Sequence, residues 1–130
     1  MKKLLLLLAI GLGFHFQSLA QEVPEKQQLV ITKIGATWCP NCGTDAWDHL
    51  ETLIDKYNEE AVILSIHPHS GSRLHSPESS DFTENLPDAW GQPLFYVNRN
   101  KYTTPQIIAG AETEIAENKA NGQYRFKYHY

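Results

Sequence analysis

The sequence predicts an α/β domain with a central β-sheet flanked by helices, and three observations predict it. Residues 29–34 (Leu-Val-Ile-Thr-Lys-Ile) and 61–66 (Ala-Val-Ile-Leu-Ser-Ile) are short runs rich in β-branched and aliphatic residues, the composition of strands. Between them Ala46, Leu50, Leu53, Ile54 and Tyr57 recur at helical spacing, while Asp45, Asp48, Glu51 and Asp55 lie largely on other faces. Strand, helix and strand in that order make a βαβ unit with a right-handed crossover. The near-continuous apolar character of residues 61–66 suits a parallel strand covered on both faces.

The chain opens differently from the rest. Met1-Lys2-Lys3 is a basic head, an almost unbroken apolar run follows to Leu12, and Ser18-Leu19-Ala20 ends it with small residues, so residues 1–20 read as a secretory signal peptide. A membrane anchor needs ~20 mostly apolar residues, and His15, Gln17 and Ser18 interrupt this stretch too early. Residues 21–28 form a polar leader containing Pro24, and the domain spans residues 29–122. After the first strand, Gly35-Ala36-Thr37 turns the chain into Trp38-Cys39-Pro40-Asn41-Cys42, and a helix is expected over residues 40–58, with Pro40 in its first turn where a missing N–H costs nothing. Residues 67–88 read as a long loop with a short helix near 79–85, residues 93–98 as a third strand, and Asn98 to Lys101 as a turn. Thr104-Pro105 starts a last helix, with Ile107, Ala111 and Ile115 on one face and Asn121-Gly122 as its stop. Residues 123–130 alternate Tyr124, Phe126, Tyr128 and Tyr130 with Arg125, Lys127 and His129, the pattern of a half-buried terminal strand.

Composition narrows the function classes. Beyond residue 20 the chain keeps nine Lys/Arg and fifteen Asp/Glu, a net charge of −6, which disfavours nucleic acid and anionic membrane surfaces as partners. No cysteine follows Ala20 to carry a lipid, so no stable membrane anchor is expected once the signal is cleaved. Export places the two cysteines where disulfides persist. They lie three positions apart, so their bond closes a tiny loop and cannot staple distant parts of the fold.

A dithiol at a strand–helix junction has a specific use. The unpaired N–H groups and positive end of the helix, here around Pro40 and Asn41, stabilise a thiolate and lower the pKa of the more exposed sulfur. Cys39 is then the attacking nucleophile, Cys42 resolves the mixed disulfide, and Trp38 shields the site. Metal is the rival reading: Cys39 and Cys42 with His67, His69 or His75 from the following loop would suit Cu(I) or Zn(II), although a four-thiolate site lacks its second cysteine pair. Gly43, not histidine, follows Cys42, which removes c-type haem attachment. Trp47 and Trp90 read first as packing residues, with Trp90 as an alternative lining of a substrate groove.

The Trp-Cys-Pro-x-Cys motif, the strand before it, the helix after it, the apolar strand 61–66 and a proline opening a later strand resemble the thioredoxin-like superfamily over roughly residues 29–120. That resemblance implies a thioredoxin-like α/β fold with a central mixed β-sheet. It also implies a cis-proline facing the dithiol, a position matched by Pro93, with Gln92 as the residue whose backbone pairs with substrate. More narrowly, residues 36–43, Ser65-Ile66-His67 and Phe95-Tyr96-Val97-Asn98-Arg99 resemble the Omp28-related proteins of Bacteroidetes-type bacteria, in which further β-rich sequence usually follows. The aromatic end is therefore either an edge strand or the start of a further domain in a C-terminally truncated relative. One position departs from the family pattern: six residues before the first cysteine, where an acidic residue is usual, this chain carries Lys33. A lysine turned toward the dithiol favours thiolate; one that reaches solvent does not.

These readings lead to an exported thiol–disulfide oxidoreductase, periplasmic, outer-membrane-associated or secreted. It would act without a cofactor on protein thiols or disulfides and exchange electrons with a donor or acceptor. The alternatives are a metal-binding or metal-delivery module and a non-catalytic interaction module of the same fold.

Overall fold

The computed structural model describes residues 28–121. The signal peptide at 1–20, most of the leader at 21–28 and the terminal strand at 123–130 lie outside the described residues. Four strands form one mixed sheet in the order β2-β1-β3-β4, with β1 at Leu29–Ile34, β2 at Ala61–Ile66, β3 at Leu94–Val97 and β4 at Asn100–Tyr102. β1 runs parallel to β2 and antiparallel to β3, and β3 runs antiparallel to β4. Helix α1 (Asp45–Tyr57) joins β1 to β2, α2 (Pro77–Glu84) lies between β2 and β3, and α3 (Ile107–Asn121) follows β4. This is a thioredoxin-like arrangement of a mixed sheet flanked by helices.

Side-chain alternation along β1 divides the core. Leu29 and Ile31 join Ala46, Leu50 and Leu53 of α1, Phe95 and Val97 of β3, and Ile107, Ala111 and Ile115 of α3 in one apolar cluster. Ile34, Leu94 and Tyr96 form a second cluster, against which Ile66, Leu86 and Ala89 pack. The two clusters are the two faces of the sheet, as the period-two geometry of strands requires. Asn98, at φ 54° in the β3–β4 turn, ties that hairpin to β1: its N–H donates to the Val30 carbonyl at 2.7 Å and its Oδ1 accepts the Val30 N–H at 3.1 Å.

The structure departs from the sequence reading in five places. The helix expected over 40–58 is two pieces, a 3₁₀ turn at Pro40–Cys42 and α1 from Asp45, because Thr44 sits at φ −116°, ψ −109° and breaks the helical path. β2 is not covered on both faces; it is an edge strand among the described residues, and Val62 is exposed. Ile54 points outward although it shares the apolar spacing of its neighbours. The turn expected at 98–101 is shorter, and Asn100–Tyr102 forms β4; the third strand is correspondingly Leu94–Val97. The loop helix begins at Pro77, two residues early, because Ser76 caps it by accepting the Ser79 N–H at 3.2 Å.

Leu53 is fully buried and Ile54 is 41 % exposed, so their truncations separate core packing from surface substitution. Leu53→Ala is expected to cost about 2–5 kcal/mol of unfolding free energy, and Ile54→Ala no more than about 1 kcal/mol. Urea denaturation of the two variants checks the facing of α1.

Candidate functional site

The site starts where β1 ends. The Gly35 N–H donates to the Ile66 carbonyl at 3.0 Å and carries the ladder one residue past the strand. The chain then turns through Ala36, whose carbonyl accepts the Cys39 N–H at 3.1 Å. Pro40 opens the 3₁₀ turn, and the N–H groups of Cys42 and Gly43 donate to the carbonyls of Cys39 and Pro40 at 3.1 and 3.0 Å. Cys39 and Cys42 are joined in a disulfide with their Cα atoms 5.3 Å apart. Cys39 is half-buried, whereas Cys42 is only 3 % exposed.

Two parts of the expected electrostatics change. The α1 dipole begins at Thr44, whose carbonyl accepts the N–H groups of Trp47 and Asp48, so Pro40 and Asn41 belong to the preceding turn and not to the helix end. The first turn of α1 also carries Asp45 and Asp48, which take up part of its positive potential. Against this, Lys33 is 2 % exposed and faces α1, with its Nζ 5.6 Å from the centroid of the Trp47 ring. A Cβ on Gly35 would lie 3.5 Å from Lys33 Nζ and 3.6 Å from Cys42 Sγ, so the ammonium and the inner sulfur flank the space that glycine leaves open. Burial lowers the Lys33 pKa from its ordinary value.

A second layer steadies the motif from the loop after β2. The buried Ser72 Oγ accepts the Thr37 N–H at 3.1 Å and meets His67 Nδ1 at 3.2 Å, while Thr37 Oγ1 accepts the Arg73 N–H at 2.9 Å. Trp38 is 55 % exposed; its indole rests against this loop, 5.9 Å from the His69 ring, and a Cβ on Gly71 would come within 3.2 Å of its Nε1. Burial first, then the Lys33 ammonium and His69, hold His67 below the ordinary imidazole value. His69 Nε2 is buried without a hydrogen-bond partner among the described residues.

Pro93 approaches the motif from the β3 side. The register that sets Ile34 opposite Leu94 brings Pro93 beside the turn into the dithiol, and the Gln92-Pro93 peptide is cis, as the resemblance implied. Tyr96 donates its hydroxyl to the Pro87 carbonyl at 2.8 Å and Lys101 Nζ donates to the Asp88 carbonyl at 2.7 Å, which fixes the segment leading to Gln92. A cleft of about 440 Å³ opens beside it, lined by Pro68, His69, Thr83, Leu86 and Trp90 among others. His69 touches both this cleft and Trp38. Trp90 is 88 % exposed and Trp47 46 %, so neither is the core packing residue the sequence suggested.

The metal set does not assemble. Among the described residues no three His, Cys, Asp or Glu side chains converge on one point. His67 is engaged with Ser72, and His75 Nε2 meets Ser80 Oγ at 3.1 Å. Sequence reasoning missed Ser72 and Gly71, which act across more than thirty residues and carry no local signal. It left the direction of Lys33 open, although Lys33 continues the Leu29, Ile31 alternation that faces α1.

A Cys39–Cys42 disulfide set at the end of β1 in a thioredoxin-like fold is the arrangement of a dithiol–disulfide module. No protein-family model matches this chain, and no curated protein matches it. Among solved structures, the germline-specific thioredoxin Deadhead of Drosophila melanogaster is similar at 16 % identity, covering 66 % of this chain and 80 % of that one, with a TM-score of 0.46.

Ser72→Ala leaves the Thr37 N–H without its partner and is expected to cost about 1–3 kcal/mol by chemical denaturation. His67 gives a pH signature. Its folded pKa lies below the unfolded value of 6.5, so its contribution is present above that value and is lost as pH falls through the folded pKa. The urea midpoint is therefore expected to drop as the pH falls below about 6.5, and to drop less in His67→Gln.

Proposed function

We propose that the protein is an exported thiol–disulfide oxidoreductase in which Cys39 exchanges with protein substrates and Cys42 resolves. The observation that carries this reading is the asymmetry of the pair: Cys39 is accessible at the turn, and Cys42 is enclosed behind it. A disulfide with only a structural role would do little here, because the 3₁₀ turn and the ladder bond at Gly35 already fix the loop it closes.

The exchange runs in two balanced steps. A substrate thiolate attacks Cys39 Sγ, the Cys39–Cys42 bond breaks, and its electron pair leaves on Cys42 Sγ. A second substrate thiolate attacks the substrate sulfur of the mixed disulfide, releasing Cys39 as thiolate and the substrate as a disulfide. The reverse sequence, begun by the Cys39 thiolate on a substrate disulfide, reduces that substrate. Gln92 and Pro93 are assigned to pairing with an extended substrate backbone, which the Ile34–Leu94 register supports, and the exposed Trp38 and Trp90 are assigned to apolar side chains of a partner. Export is supported by the basic head, apolar run and small-residue end of residues 1–20. No helix among the described residues is long and apolar enough to cross a membrane. Kinship with the thioredoxin-like domain of Omp28-related proteins is supported by residues 36–43 and by Phe95 to Arg99.

Cys42→Ser is expected to accumulate a mixed disulfide on Cys39 with a reduced substrate protein and an oxidant, and Cys39→Ser to accumulate none. Insulin reduction by either variant should fall to the uncatalysed background. A wild type with no reversible Cys39–Cys42 couple against glutathione would overturn the reading and leave a non-catalytic module of this fold.

A further inference from the structure

Lys33 is the one buried cation at the site, and the structure shows it without an anionic partner among the described residues. The ion pairs recorded are Lys56 with Glu112 and Lys119 with Glu60, both remote from the dithiol. The groups around Lys33 come from several segments. Trp47 of α1 offers its ring face, and its Nε1 donates outward to Glu51 at 2.8 Å, which holds that carboxylate on the exposed side of the indole. From β3 and β2 come Phe95 and Ser65, opposite Lys33 in the ladders. His67 lies just past β2, and its pKa is lowered by burial and then by the lysine itself. The last neighbour is Cys42 Sγ of the 3₁₀ turn, across the space beside Gly35.

We infer that Lys33 is the charge partner of the Cys42 thiolate, so that opening the disulfide creates an ion pair inside the protein and biases the couple toward the oxidising end. This rests on the redox reading above and specifies how its buried sulfur works. When a thiolate attacks Cys39, the electron pair of the broken bond is left on a sulfur that is nearly shut off from water. An isolated thiolate in that setting is strongly disfavoured. With the ammonium already in place, the leaving group is neutralised in the same step and no proton has to arrive from solvent. A better leaving group speeds opening of the disulfide, and a stabilised reduced form raises the reduction potential. Lys33 thus replaces the proton-accepting role of a carboxylate at this position with a fixed positive charge. The oxidised form carries the unpaired cation and the reduced form pairs it.

The test uses the full chain after signal removal, comparing wild type with Lys33→Met, which keeps an unbranched apolar stem but removes the charge. Equilibration with glutathione should favour the disulfide form of Lys33→Met at least about tenfold more than wild type, equivalent to a potential about 30 mV lower. The variant should also need higher pH to form thiolate, followed by ultraviolet absorbance. A folded Lys33→Met with the potential and thiolate titration of wild type overturns the inference while leaving the oxidoreductase reading intact; absence of any couple in wild type overturns the reading itself. A measurement on wild type alone guards against a variant that fails to fold: the Lys33 side-chain nitrogen, followed by NMR, should titrate at higher pH in the reduced than in the oxidised protein, and equal titration in the two states overturns the pairing.

Discussion

β1 is hydrogen-bonded along both edges, parallel to β2 and antiparallel to β3, and its last residue, Ile34, lies opposite Ile66 on one side and Leu94 on the other. A strand so held cannot slip by one residue without turning Leu29 and Ile31 out of their cluster and exchanging the faces of the sheet. The register therefore determines at once where the chain turns into Trp38 and Cys39, which loop lies beside that turn from β2, and which residue of the β3 approach meets it. Cys39, Ser72 and Pro93 belong to three separate segments. They come together because β1 and β2 end, and β3 begins, at one edge of the sheet.

How much of this was legible depends on the range of the interaction. β1 and β2 were readable to the residue because β-branched runs bounded by polar segments need no tertiary context to be recognised. The buried face of α3 at Ile107, Ala111 and Ile115 was readable for the same reason. β4 was not: Asn100, Lys101 and Tyr102 are mostly exposed and become a strand only by pairing with β3. The break at Gly43 and Thr44 was hidden because Pro40 and the apolar spacing after it fit a continuous helix equally well. Ile54 shows the limit of periodicity, since its angular position satisfies the stripe but the elements packed on α1 leave it exposed.

At the site the same division holds. The motif, and the proline that resemblance placed opposite it, were visible in the sequence, whereas the support under the motif was not. Thr37 is held by Ser72, thirty-five positions away, and serine in a loop rich in Ser, Pro and Gly carries no mark that distinguishes it. Gly71 is similarly anonymous, yet its missing side chain is what allows the Trp38 indole to lie on the loop. These contacts explain how a 3₁₀ turn, which is shorter and less well bonded than the helix expected there, can still hold two sulfurs in position.

Lys33 shows why the electrostatics of the dithiol cannot be carried over from its motif alone. With α1 starting beyond Thr44 and its first turn bearing Asp45 and Asp48, the helix end is a weaker source of positive potential than the spacing suggested. The lysine supplies that potential from the other side, through β1, and it does so under Cys42 and not under Cys39. Its burial is costly while the disulfide is closed, because the Trp47 ring face and the surrounding apolar groups only partly replace lost hydration. The cost is removed when Cys42 becomes an anion. A group that destabilises one redox state and is satisfied in the other acts on the equilibrium between them, even though it makes no hydrogen bond to either sulfur. Burial first, and then the same cation, lower the His67 pKa, while Ser72 Oγ meets its Nδ1 and holds the imidazole in place. Charge at this site is thus arranged around one ammonium, and the placement of that ammonium follows from the alternation of β1.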